Sequence, residues 1–249
     1  MIFENRLALS AMAGVNNAEF CRKQKASLVI LGGFNADRRA LEAAEKAVKR
    51  GRKEFLFGID GIEGEIKKLG RRKFAVNVRS SSLEGYLNVA ELVAEFEGII
   101  EINAHCRQPE FVEIGCGEWL LFNHERLVEI VSKTSRIAPT FVKIRGGHKL
   151  DYEKIARKLF DAGCLAIHVD AMIPGGGCDF SLIERISRIG NVIGNNSFVD
   201  IESGERIIMA GAKMASAARA VLRDENFFEK MLRSPLLSQP VELSCGRFR

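Results

Sequence analysis

Asn103, His105 and Cys106 place an amide, an imidazole and a thiol directly after an apolar run, Ile99 to Ile102. All three can bond a heteroatom, and the last two can carry a proton between groups. The run reads as a buried strand, and a strand end is a rigid mount for chemistry. Cys106 is the candidate proton donor or acceptor, with His105 beside it as a second acid. On residue type alone, the reading of Cys106 as a small buried core thiol is the favoured one. The stretch continues to Gly115, Cys116 and Gly117. His105, Cys106 and Cys116 lack a fourth partner and zinc-like spacing, so no metal is expected.

The elements that must position this cluster follow from hydrophobic periodicity. Short apolar runs fall at Leu7 to Ala11, Ser27 to Leu31, Phe74 to Val78, Ile99 to Asn103, Thr140 to Ile144, Leu165 to Val169, Asn191 to Gly194 and Met214 to Ala217. Each reads as a strand, the second ended by Gly32 and Gly33. Between them lie amphipathic stretches: Asn17 to Lys23, Arg38 to Arg50 behind a possible Asp37 cap, and Ser82 to Glu95. Further helices are a segment capped by Asn123, Asp151 to Asp161 closed by Gly163, Phe180 to Arg188, Ile201 to Ala210 stopped by Gly211, and Glu225 to Leu232. A glycine-punctuated insertion, residues 55 to 70, carries one helical turn near Glu63 to Lys68.

Unalternated apolar strands separated by helices imply a parallel sheet covered by helices. Eight such units in 249 residues predict an α/β protein, a single-domain (β/α)8 TIM barrel. A doubly wound open sheet is the runner-up, and no GxGxxG follows the first strand. In a TIM barrel the site lies at the C-terminal strand ends. Those ends carry Ala11, Met12, Asn77, Arg79, Asn103, Cys106, Lys143, Arg145, His168, Asp170, Gly194, Asn195 and Arg219. Each has a bland reading: Lys143 snorkelling to solvent, His168 bonded to a carbonyl, Asn195 and Asn196 forming a turn. Together, amide, amine, imidazole and thiol groups on successive ends suit the edges of a large heteroaromatic cofactor.

Composition bounds the rest. The chain is 47% hydrophobic and 28% charged, with 23 Gly and 5 Pro, as in ordinary globular proteins. No stretch approaches the roughly 20 apolar residues of a membrane span. No signal peptide is evident, so a cytoplasmic protein is expected. The six cysteines, at 21, 106, 116, 164, 178 and 245, form no CxxC pair and suggest no disulfide framework. Residues 1–75 hold 16 Lys/Arg against 9 Asp/Glu, concentrated at 46–53 and 67–73. Such runs are ordinary solvated helix faces or a surface for nucleic-acid phosphates.

The order Ala11-Met12-Ala13-Gly14-Val15, Asn103-x-x-Cys106, Val142-Lys143-Ile144-Arg145, Ile167-His168, Val192-Ile193-Gly194-Asn195 and Arg219 resembles the tRNA-dihydrouridine synthases. It is similar, more distantly, to the dihydroorotate dehydrogenases. Both are FMN-dependent TIM barrels, and the resemblance spans residues 7 to 222. It implies FMN as cofactor, with NAD(P)H as a reductant, and a pyrimidine substrate in tRNA or as a small molecule. By the resemblance, Ala11 and Met12 lie against the flavin, and Asn77 and Asn103 belong to its pocket. Lys143 faces its electron-rich edge, and His168 contacts the ring and ribityl chain. Gly194, Asn195 and Arg219 hold the phosphate. Cys106 gives a proton to C5 of a uracil ring as hydride reaches C6, or the reverse.

Several positions depart from the synthase pattern. His105 and Arg107 flank the cysteine where that family has glycine and proline. Asn196, Ser197 and Ala218 stand where a glycine, an aspartate and a glycine are expected, and Asp170 where an arginine is expected. The C-terminal helical domain that the synthases use to grip tRNA is expected to be absent. A second expectation, of another class, is a barrel without redox chemistry that binds a phosphorylated ligand or a protein partner. Oligomeric state is not legible.

Overall fold

A computed structural model of the chain describes residues 1–56, 58 and 61–244. In chain order its elements are β1 (Ile2–Phe3), β2 (Leu7–Leu9), α1 (Ala18–Lys23), β3 (Leu28–Asn35), α2 (Arg38–Lys49), α3 (Ile62–Leu69), β4 (Phe74–Arg79), α4 (Leu83–Glu95) and β5 (Ile99–Ala104). There follow α5 (Pro109–Glu113), α6 (Glu118–Phe122), α7 (His124–Thr134), β6 (Thr140–Arg145), α8 (Tyr152–Asp161), β7 (Ala166–Asp170) and α9 (Phe180–Ser187). The chain closes with β8 (Val192–Asn195), α10 (Ile201–Met209), β9 (Met214–Ala217), α11 (Arg219–Arg223), α12 (Phe227–Met231) and β10 (Val241–Glu242).

Strands β2 to β9 pair in parallel and close into a barrel, β9 returning to β2 through Leu7 opposite Ala215. The expected eight-stranded TIM barrel is therefore what the sequence builds. Each strand is buried on both faces because one face meets helices and the other faces the barrel interior. Helix starts are fixed by side chains: Asn17, Asp37, Ser82, Asp151, Asp179 and Asp200 each accept an N–H three residues on. Asp37 does more. Its second oxygen also accepts from Ser80 Oγ and from the amides of Ser81 and Ser82, tying α2 to the start of α4.

The barrel interior is layered. At its floor, Ala8, Leu28, Ile30, Ala75, Ile99, Phe141, Ala166, Ile193 and Met214 form one apolar cluster. Phe3, Val241 and Leu243 join that cluster. The antiparallel ribbon of β1 and β10 therefore plugs the bottom. The sequence pattern gave no sign of this ribbon, because each arm is two residues long. Helix-facing residues such as Leu31, Val78, Ile102 and Val169 belong to the larger outer core.

Several boundaries differ from expectation. β3 runs through Gly32 and Gly33 to Asn35, with a register shift between Gly32 and Phe34, because both glycines lie inside the ladder with β4. The turn expected near Glu63 is the longer helix α3; residues 57, 59 and 60 of that insertion, and Cys245, lie outside the described residues. The loop after β5 contains α5 and α6. The Asn123 side chain caps no amide and instead donates to the Trp119 carbonyl at 2.9 Å. A further helix, α11, begins directly after β9.

Candidate active site at the mouth of the barrel

Side chains alternate across a strand, so residues two positions beyond the floor also face inward. From Ala8, Ile30, Ala75, Ile99, Phe141, Ala166, Ile193 and Met214 this step reaches Ser10, Gly32, Asn77, Glu101, Lys143, His168, Asn195 and Ser216. Above an apolar floor the barrel thus carries a ring with seven polar side chains and one glycine. Strand register sets neighbours side by side: Asn77 opposite Glu101, Lys143 opposite His168, Asn195 opposite Ser216.

Asn77, Glu101, His168, Ser216 and Asn195 of the ring, with Asn103 above, form one hydrogen-bonded relay, and Lys143 and Ser10 form a separate pair. Asn103 donates to Asn77 Oδ1 at 2.8 Å, and Asn77 donates to Glu101 Oε1 at 2.7 Å. The other carboxylate oxygen lies 2.7 Å from His168 Nδ1, and His168 Nε2 lies 2.7 Å from Ser216 Oγ. Asn195 Nδ2 donates to the same hydroxyl. One assignment satisfies every member: His168 neutral, Nδ1–H donating to Glu101, and Nε2 accepting from Ser216. Lys143 donates to Ser10 Oγ at 2.5 Å.

Electrostatics agree with that assignment. Glu101 and His168 are both 0% exposed. Burial works to raise the Glu101 carboxyl, but His168, the Lys143 cation and the Asn77 hydrogen bond outweigh it and hold the carboxyl below its ordinary range. Burial, then the charge of Lys143, push His168 below the usual histidine range, so its imidazole is neutral at pH 7. Burial likewise lowers Lys143, against the pull of Glu101 and Asp170.

A second cluster sits one step higher. Asp170 Oδ2 lies 2.6 Å from His105 Nε2 and 3.2 Å from Arg145 Nη1, while Asp170 Oδ1 accepts from Asn196 at 3.1 Å. Burial opposes ionisation of Asp170, but the His105 hydrogen bond and the Lys143 and Arg145 cations bring it down to about 2. The His105 side chain is 27% exposed, open to a ligand at the mouth. Burial pushes the His105 imidazole below the usual histidine range, against the pull of the Asp170 hydrogen bond. Asn103 Oδ1 accepts the amides of both His105 and Cys106, fixing the turn that presents them.

Cys106 stands apart from the ring. At 8% exposure it belongs to a satellite core with Ala43, Ala44, Ala47, Phe55, Phe111 and Cys116, edged by Ala13 of the loop after β2. Ala11 and Met12, on that same loop, are half-buried, and Arg219 is exposed at the start of α11. Gly194 has a packing role: a Cβ there would lie 2.4 Å from Ile207 of α10. Asn196 and Ser197 adopt left-handed backbone at φ 107° and 54°, a conformation that favours glycine. The Asn196 amide is turned aside onto Asp170. The structure thus brings Asn77, Asn103, Lys143, His168 and Asn195 into one ring and its rim, with His105 above. It leaves Cys106 at one edge and Arg219 exposed at the start of α11, just past the end of β9.

Glu101 and Ser216, the centre of the relay, went unrecognised in the sequence. The signal existed: each lies two residues beyond an inward apolar residue. Two crevices, of about 390 and 570 Å³, lie elsewhere, one between α2, α4 and α7 and one near the bottom of the barrel. Neither is lined by a ring residue, so the ring's chemistry, not cavity size, marks the candidate site.

The relay and the Asp170 cluster above it predict acid lability in two steps. His168 is depressed, so the unfolded chain binds its proton first; stability is full above about pH 6.5 and falls as pH drops below it. Asp170 contributes fully above about pH 4 and loses its contribution as pH falls towards 2. A shift of that size corresponds to about 2 kcal/mol. Urea midpoints measured from pH 8 to pH 3 check this; a flat profile through pH 5 contradicts the buried neutral His168.

A closed barrel of eight parallel strands defines the chain as a TIM-barrel protein, and its polar ring lies at the C-terminal strand ends. It belongs to the family of Uncharacterized protein MJ0144 from Methanocaldococcus jannaschii, with which it is 31% identical over 238 residues, 88% of this chain and 90% of the archaeal protein. No family model matches the chain. Among solved structures, a DHODH from Eimeria tenella, in complex with ferulenol, is similar in fold. Its TM-score is 0.66 at 13% identity, covering 92% of this chain and 80% of that one. A FabK mutant from Thermotoga maritima gives a TM-score of 0.59 at 14% identity, covering 93% and 69%. Among the described residues, no helix is long and apolar enough to cross a membrane, and no His/Cys/Asp/Glu group could hold a metal ion.

Proposed function

We propose that the chain is a flavin-dependent oxidoreductase that acts on the C5=C6 bond of a pyrimidine, in tRNA or as a small molecule. FMN is its cofactor and NAD(P)H the reductant. The observation that carries this reading is the Lys143 ammonium, buried in the polar ring of a barrel folded like DHODH. A fixed cation at this depth suits an anionic reduced heteroaromatic ring. The donor set fits FMN in kind. Lys143, Asn103 and Asn77 would serve the ring edge, with Ala11 and Met12 against its face. Asn195, the left-handed turn at Asn196 and Ser197, and Arg219 would serve the phosphate. His168 has both nitrogens committed, so it would act through Ser216 and Asn195.

FMN would supply the hydride. The chain's own residues do the rest. Cys106 gives its proton to the pyrimidine carbon next to the one reduced, or takes it in the reverse direction. Asn103 holds the Cys106 turn through two backbone amides. The Arg145–Asp170 pair and His105 present fixed donors and acceptors to a substrate at the mouth. A second reading has His105 as the acid, favoured by its 27% exposure and its 2.6 Å contact with Asp170.

The test is the visible spectrum of the purified protein, with the mass of any ligand released on denaturation. Flavin bands and the mass of FMN are expected. A colourless protein that takes up no added FMN overturns the reading.

A further inference from the structure

Arg79, at the end of β4, is 1% exposed and among the largest fully buried side chains. Its Nε donates to Asn35 Oδ1 at 3.0 Å and one terminal nitrogen donates to the Gly33 carbonyl at 2.8 Å. The Phe55 and Phe111 rings pack over it, with centroids 5.0 and 4.4 Å from Cζ. Those partners are all neutral. The acidic groups that face the guanidinium are the Cys106 thiol, within hydrogen-bonding reach, then Cys116 and Tyr86. No carboxylate pairs with Arg79 among the described residues.

A guanidinium remains charged at any working pH, and a buried charge without a counter-ion is costly. Such a site suits an anion that forms there transiently. Burial pushes Cys116 up to about 12 and Tyr86 well above its ordinary value, so neither supplies that anion. Cys106 remains.

We infer that Arg79 is a positioning residue that holds the Cys106 sulfur and balances the charge it acquires when it releases its proton. The inference rests on the reading of Cys106 as the proton donor. In that step the S–H bond breaks, the proton goes to the substrate carbon and the electron pair stays on sulfur beside Arg79. A reduced flavin, when bound, would supply the accompanying hydride and the two electrons. On proton return, the S–H bond re-forms and Arg79 again faces only neutral partners among the described residues. The remaining charged groups around the pocket are Asp37 and Arg39 of α2, which act on Cys116, and Arg52 over the Phe55 ring.

The test needs no flavin and so can fail independently of the flavin reading. Iodoacetamide alkylation of Cys106 is followed by peptide mapping, since cleavage at Arg107 separates Cys106 from Cys116. The quantity read is the ratio of rates at pH 7.5 and pH 9.5, which cancels accessibility. Arg79→Met is expected to lower that ratio by about tenfold, the effect of removing an opposite charge at close range. Arg79→Lys keeps it within about threefold. Asn35→Asp, which leaves the guanidinium in place but gives it a carboxylate, also lowers the ratio and serves if Arg79→Met does not fold. An unchanged or raised ratio in both Arg79→Met and Asn35→Asp overturns the inference. In that case Arg79 only packs the roof formed by Phe55 and Phe111.

Discussion

Cys106→Ala is expected to lower turnover of a pyrimidine substrate by about 10²-fold or more, the usual worth of a positioned general acid. FMN should stay bound, because Cys106 lies in the satellite core and makes no bond in the Asn77–Glu101–His168 relay. The measurement is the rate at which substrate reoxidises the reduced protein without oxygen, alongside the flavin content of each variant. His105→Asn is the informative partner. If Cys106 is the acid, His105→Asn acts mainly on substrate affinity, through loss of the Asp170 contact. If His105 is the acid, the order reverses, and near-normal turnover in Cys106→Ala sinks the assignment. The two residues are adjacent in sequence, yet one faces the Asp170–Arg145 pair and the other the Arg79 pocket. Their variants should therefore separate cleanly.

Glu101→Ala is expected to destabilise the fold by about 3–5 kcal/mol, the range for removing one partner of a buried charge pair. The substitution leaves Lys143 without its facing carboxylate, the His168 Nδ1–H without an acceptor, and the Asn77 amide unsatisfied. Glu101→Gln does not restore the site. Asn77 and His168 both donate to this position, and a Gln amide meets one of them with another donor. It should cost about 1–3 kcal/mol and press His168 toward its other tautomer. Urea unfolding at pH 7 measures both. A loss below about 1 kcal/mol for Glu101→Ala means that Lys143 and His168 find other partners, and the relay is not the structural centre of the mouth.

Much of the architecture was legible. Eight apolar runs with helical stretches between them required a parallel sheet covered on both faces. Asp37, Ser82 and Asp151 marked helix starts because a short side-chain oxygen beside an amphipathic run satisfies an otherwise unpaired amide. Where glycine served as punctuation the reading failed. Gly32 and Gly33 looked like a strand end and lie within the ladder. Gly194, expected at the phosphate, also leaves room for the Ile207 side chain, a packing reason that the sequence did not show. A missing side chain states that something is close, not what it is.

The polar residues followed the same division. The sequence by itself determined that amide, amine, imidazole and thiol groups stand at successive strand ends, because alternation along each strand is a local property. It also fixed that Asn103, His105 and Cys106 share one turn. What each group touches was decided by barrel closure. Only closure sets Glu101 of β5 against His168 of β7, and Ser216 of β9 against both His168 and Asn195. Only the packing of Phe55 and of Phe111 from α5 around Arg79 puts Cys106 beside that buried guanidinium, while His105 faces Asp170. These contacts span tens of residues in sequence. Their energies depend on burial and on distances between charges, which no local pattern records and which exist only once the eight strands have met.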